Sequence, residues 1–139
     1  MAKTAADVMT ASPRSVASTA PVAEAARLMR DEDVGSLPVV QGDRVIGVLT
    51  DRDIVVRVVA AGLDPQTVPV SEASSDRPVT VEPSTDLDEA LQLMAAHQVR
   101  RLPVVESGRL VGVIAQADVA RGTKDKKTGE LVEEISQPR

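Results

Sequence analysis

A chain of 139 residues with 21 acidic and 16 basic side chains, a net charge of −5 and a pI near 4.9 lacks the basic stripe that duplex nucleic acid demands. It contains no Phe, Tyr or Trp, which removes the stacking platforms used on single strands, and no Cys, which removes disulfides, thiolate nucleophiles and cysteine metal sites. No apolar run approaches 18 residues and no signal-peptide core is visible, so the sequence predicts no membrane span and a soluble, cytoplasmic protein.

In chain order, Val16 lies in a short extended stretch after Pro13. A helix follows, with Val22, Ala25, Ala26 and Met29 at i, i+3, i+4, i+7 on one face and Thr19 as its expected N-cap. Strands are predicted at 37–40 and 45–49, joined by Gln41-Gly42-Asp43-Arg44, a short Gly-containing link of the hairpin kind. Pro38 cannot donate a ladder hydrogen bond and belongs at a strand start or edge. A second helix begins near Asp51 and carries the apolar run 54–61, with Gly62 as its stop. It is apolar on nearly every face, which predicts burial from more than one side. Residues 63–76, rich in Pro, Ser and Asp, read as a linker.

The same set then returns: an extended stretch at Val81, and a helix face of Leu87, Ala90, Leu91 and Met94 with Ser84 as expected N-cap and an acidic first turn. A strand at 102–105, the turn Glu106-Ser107-Gly108-Arg109, a strand through Gly112-Val113 and a short helix at 119–122 complete it. A polar tail occupies 123–139, where Leu131, Val132 and Ile135 predict at most one docking turn. A shift of 65 residues superimposes positions 12–53 on 77–118 with 15 identities in 42 pairs and no gap. That density marks a tandem repeat, one supersecondary unit built twice. Each copy alone buries too little surface to be stable, so the halves are expected to pack together. The 23 valines favour sheet over an all-helical bundle. The expected organisation is a first repeat at 5–62, a linker at 63–76, a second repeat at 77–122 and the tail.

Two copies of "Val-Met-Thr … helix … Leu-Pro-Val-Val … Gly-Val-Leu-Thr-Asp-Arg-Asp-Ile" resemble a tandem pair of CBS (cystathionine β-synthase) domains, or Bateman module, over residues 5–122. Leu49-Thr50-Asp51-Arg52-Asp53-Ile54-Val55, Ala60-Ala61-Gly62-Leu63-Asp64-Pro65 and His97-Gln98-Val99-Arg100-Arg101 resemble, more closely, the stand-alone actinobacterial CBS-pair proteins of the hypoxic response type. The resemblance implies an α/β (α+β) fold of two β-α-β-β-α repeats related by a pseudo-twofold and packed sheet to sheet. It also implies homodimerisation, and an adenine nucleotide (AMP, ADP or ATP) or an adenosyl ligand such as S-adenosylmethionine in the inter-repeat cleft.

The family's ribose motif falls on Gly47-Val48-Leu49-Thr50-Asp51-Arg52-Asp53, which assigns ribose to Thr50 and Asp53. A carboxylate can accept from both hydroxyls of a diol, and a helix start adds free N–H groups. Thr-x-x-Asp is equally a capping box, which would only satisfy that helix start. The second copy has Ala115 in place of Thr50 and keeps Asp118, so the equivalent site is expected to be degraded. Phosphate is assigned to Arg100 and Arg101, with Arg52 as a further candidate, because a guanidinium fork bonds phosphate oxygens in pairs. The alternative for the two arginines is ion pairing with the acidic run Asp31-Glu32-Asp33. Adenine is assigned to a pocket of Val16 and Val48. His97, the only histidine, makes no metal site without partners, and no catalytic constellation is present. The expected function is a non-catalytic, ligand-sensing module that signals through an effector protein. The alternative is a constitutive homodimeric interaction module without a small-molecule ligand.

Overall fold

The computed structural model describes residues 3–123. In chain order the elements are α1 (Ala5–Val8), β1 (Thr10–Ala11), β2 (Val16–Ala17), α2 (Val22–Glu32), β3 (Ser36–Gln41), β4 (Arg44–Thr50) and α3 (Asp51–Ile54), which runs into a π-helical turn at Val55–Val59. α4 (Val70–Ala73), α5 (Leu87–His97), β5 (Arg101–Glu106), β6 (Arg109–Ala115) and α6 (Gln116–Thr123) follow. These elements form two compact units. One is Arg14–Pro78; the other joins the segment before Arg14 to the chain from Val79 onward.

In the first unit β2 runs parallel to β3, and β3 pairs antiparallel with β4. Period-two alternation sends Val16, Leu37, Val39 and Leu49 into one core with Val22, Ala25 and Met29 of α2. The cross-strand pairs Pro38–Val48 and Ser36–Thr50 lie on the opposite face of this sheet. The second unit repeats the plan: β5 pairs antiparallel with β6, Val81 bridges Val104 in parallel, and Leu102, Val104 and Ile114 pack on Leu87, Leu91 and Met94.

Three expectations are corrected by this geometry. The N-caps are Pro21 and Asp86, not Thr19 and Ser84, because neighbouring carbonyls satisfy the helix starts. Val22 and Ala23 N–H donate to the carbonyls of Val68 and Pro65 at 2.9 Å each, and Leu87 N–H donates to that of Lys3 at 3.2 Å. Residues 63–76 are not a free linker, since Val68, Val70 and Ala73 are buried in the first core. Finally, of the π-helical turn only Val58 is buried, while Val55, Val56 and Val59 face solvent.

The compact units are also bounded differently from the repeats read along the chain. The 65-residue shift carries Ala5 onto Val70, and both are fully buried. Yet Ala5 belongs to the core of the second unit, where its N–H donates to the Thr85 carbonyl at 2.8 Å, and Val70 belongs to that of the first. The short helix preceding each repeat therefore completes the core of the other one. The expected docking turn at 131–135 and the tail at 124–139 lie outside the described residues.

Candidate functional site at the strand–helix junction

β4 ends and α3 begins at Thr50, whose extended backbone (φ −110°, ψ 161°) makes it the N-cap. Its Oγ1 accepts from Asp53 N–H at 3.0 Å, and Asp53 Oδ2 accepts from Thr50 N–H at 2.9 Å. The reciprocal pair is a full capping box, so the capping alternative is realised in the local geometry. It does not exhaust the polar capacity of the pair. Thr50 keeps its hydroxyl hydrogen, and Asp53 Oδ1 takes no hydrogen bond among the described residues. Both side chains are half-buried. A donor and a carboxylate acceptor thus sit together, held by the cap itself.

Two close approaches shape this junction. Asp51 N–H donates to the Gly35 carbonyl at 2.9 Å, and a Cβ on Gly35 would stand 3.1 Å from Asp51 Oδ2. Against Gly47 runs the backbone of Ser75: a Cβ there would lie 2.2 Å from the Ser75 carbonyl oxygen. Val48 and Ser75 exchange backbone hydrogen bonds at 3.2 and 3.0 Å. Ser74 and Ser75, read from sequence as linker, are therefore part of the junction. The clue was available, because the repeat shift places Thr10 on Ser75, and Thr10 pairs with Val113 just as Ser75 bridges Val48.

The second unit keeps the scaffold and loses the polar pair. Gln116 N–H donates to the Arg100 carbonyl at 2.8 Å, matching the Asp51–Gly35 bond. Ala115 offers no hydroxyl, and Asp118 turns along its own helix to form an ion pair with Arg121. Arg100 and Arg101 stand exposed at the start of β5, with Arg101 opposite Ala115, and their side chains have no partner among the described residues. The acidic run near α2 pairs within its own unit instead: Arg14 binds Glu32 at 2.9 Å and Arg30 binds Asp31 at 3.0 Å.

Of the assigned residues, Thr50 and Asp53 come together, with Arg52 exposed beside them. Arg100, Arg101 and Asp118 belong to the other unit. Val16 and Val48 do not share a pocket. Val16 is register partner to Val39 inside the core, whereas Val48 pairs with Pro38 on the opposite face. The residues lie on the two strands that flank β3, and β alternation sends their side chains to opposite faces. His97 is exposed at the last position of α5. Among the described residues no group of three His, Cys, Asp or Glu could hold a metal ion, and no helix is long and apolar enough to cross a membrane.

Comparison with known proteins places this architecture. The family model described as "CBS domain" matches residues 5–60 and 70–124. Hypoxic response protein 1 of Mycobacterium tuberculosis is 40% identical over 136 residues, covering 97% of this chain and 95% of that protein. The crystal structure of Hypoxic Response Protein I with two coordinated zinc ions superposes with a TM-score of 0.80 at 42% identity, over 86% of this chain and 98% of the other. The crystal structure of CBSX2 in complex with AMP gives a TM-score of 0.74 at 27% identity, over 86% and 94% respectively. The chain belongs to the CBS-domain family, as a tandem pair of these regulatory modules.

Proposed function

We propose that this CBS pair is a non-catalytic cytoplasmic sensor that binds an adenine nucleotide or a related adenosyl ligand and signals, as a homodimer, through a partner protein. The ligand's ribose is assigned to Thr50 and Asp53, and its phosphates to Arg100, Arg101 and Arg52. The adenine is assigned to the face carrying Val48, without Val16. The observation that carries this reading is the asymmetry between two otherwise matched junctions. One presents a free carboxylate oxygen and a hydroxyl donor, whereas the other has Ala115 and an Asp118 engaged with Arg121. The AMP complex of CBSX2 supports the ligand class. With only aliphatic side chains against the base, affinity is set at about the micromolar level. Zinc, present in the Hypoxic Response Protein I structure, does not enter the reading. The chain has no Cys and one His, and its described residues offer no fitting donor set.

Without Trp, Tyr, Phe or Cys, the protein is nearly transparent at 260 nm, so a co-purifying nucleotide is read directly after nuclease treatment. Added ligand at roughly 100-fold over Kd stabilises by about 2.7 kcal/mol, which raises Tm by roughly 5–10 °C. Asp53→Asn retains an acceptor for the Thr50 N–H but halves the carboxylate. It should leave the unliganded Tm nearly unchanged and abolish the ligand-induced rise. An undiminished rise in both Asp53→Asn and Asp53→Ala moves the site elsewhere. The second reading, a constitutive homodimer without ligand, is favoured by the exposed valines of the π-helical turn. It prevails if AMP, ADP, ATP and S-adenosylmethionine all leave Tm unmoved.

A further inference from the structure

Three methionines lie among the described residues, and their settings differ. Met29 and Met94 are core residues, 7% and 0% exposed. Met9 is only half-buried and packs against the second core from outside. It closes α1, its N–H donating to the Ala5 carbonyl at 2.9 Å, and it stands immediately before β1. Its thioether fills a notch above Gly112 of β6. A Cβ added to that glycine would meet the Met9 sulfur at 2.5 Å and the Thr10 carbonyl oxygen at 3.0 Å.

The first repeat builds the same seat with different chemistry. The shift of 65 carries Met9 onto Ser74 and Gly112 onto Gly47, and Ser74 Oγ stands 3.4 Å from the Cβ position of Gly47. Only the second repeat places an oxidisable atom there. Hydrogen peroxide changes what that seat must hold. The sulfur lone pair attacks one peroxide oxygen, and the S–O bond forms as the O–O bond breaks. The departing hydroxide takes the proton left on the transferred oxygen and leaves as water. Sulfur loses two electrons and the peroxide gains them. The resulting sulfoxide is polar, and its oxygen only accepts hydrogen bonds. The Thr10 carbonyl beside the notch is an acceptor too. A buried acceptor without a donor is costly, so the oxidised side chain must turn out to solvent.

The segment is thinly held at this point. β1 consists of Thr10 and Ala11, both exposed, paired with Val113 and Gly112. Beyond it, Ala5 and Ala6 N–H donate to the Thr85 and Pro83 carbonyls at 2.8 and 3.0 Å, and these bonds report whether the segment is seated. We propose that Met9 is a reversible oxidation site whose sulfoxide loosens α1 and β1 from the second unit. Thiol-dependent sulfoxide reductases reverse it: two thiols become a disulfide and the oxygen leaves as water. The protein thereby gains an oxidant input in the unit that lacks the Thr50–Asp53 pair.

The test treats full-length protein with hydrogen peroxide, maps oxygen uptake by peptide mass spectrometry and follows amide hydrogen exchange by NMR. Met9 should gain one oxygen about tenfold or more faster than Met29 and Met94, because oxidation follows exposure. Exchange at Ala5 and Ala6 should then accelerate roughly tenfold or more, with Val22 and Ala23 of the first unit unchanged. A methionine sulfoxide reductase with dithiothreitol should restore protection. Met9→Leu keeps the apolar filling without the sulfur, so its Ala5 and Ala6 exchange should ignore peroxide although Met1, Met29 and Met94 remain. Met9→Gln, which puts a polar amide in the same seat, should show the faster exchange with no oxidant. Oxidation of Met29 or Met94 as fast as Met9 would overturn the proposal. So would unaltered Ala5 and Ala6 exchange in the Met9 sulfoxide, an equal peroxide response in Met9→Leu, or wild-type protection in Met9→Gln.

Discussion

Replacing Gly47 with Ala tests how the 69–76 segment is fastened to the junction. A methyl group there would stand 2.2 Å from the Ser75 carbonyl oxygen, well inside van der Waals contact, and the obstacle is backbone that cannot rotate away. The segment would have to lift, breaking the Val48–Ser75 pair of hydrogen bonds at about 1 kcal/mol each. Overpacking adds about 1–3 kcal/mol, and the gain from removing a strand glycine returns about 0.5–1 kcal/mol. The net loss is about 2–4 kcal/mol, or roughly 6–12 °C in Tm for a chain of this length. Gly112 is the shift-matched control. Its added Cβ meets mainly the Met9 side chain, at 2.5 Å from sulfur, with the Thr10 carbonyl at 3.0 Å. Methionine rotates readily, so Gly112→Ala should lose less, about 1–2 kcal/mol. Thermal melts followed by circular dichroism measure both. A Gly47→Ala melt within 2 °C of wild type, or a larger fall for Gly112→Ala, would refute the reasoning.

Thr50→Ala deletes the acceptor for Asp53 N–H, and the lost cap should lower stability by about 1 kcal/mol, a fall of a few degrees in the same assay. An unchanged melt would mean that the capping box contributes nothing. Changing Arg100 and Arg101 together to Ala should leave the fold intact, because both are exposed. Titration calorimetry should then show ATP binding weakened about 10–100-fold, the range of lost charge-assisted hydrogen bonds, with adenosine unaffected; equal weakening of both would detach these arginines from phosphate.

Much of this architecture is legible in the chain because periodicity and repetition act together. The i, i+3, i+4, i+7 sets of α2 and α5 and the two Leu-Pro-Val-Val strands identify core faces without reference to distant contacts. The adjacency of Thr50 and Asp53 was equally accessible, since a capping box is a local geometry. What was not legible depended on backbone partners remote in sequence. The helix starts at Val22 and Leu87 are satisfied by carbonyls of Pro65, Val68 and Lys3, which no local capping rule can supply. The separation of Val16 from Val48 required strand register, because each residue alone suits a pocket wall. The turn of Asp118 toward Arg121 was hidden for another reason: a carboxylate at a helix start has several partners, and only geometry selects one.

The helix at Ala5–Val8 is made early and used late. The residues that enclose Ala5, among them Leu87, Ile114 and Val119, leave the ribosome some 80–115 positions behind it. During vectorial synthesis the unit spanning Arg14–Pro78 can close while this leading segment still waits for its seat. Damage to residues 3–13 should therefore be felt in the later-translated of the two units.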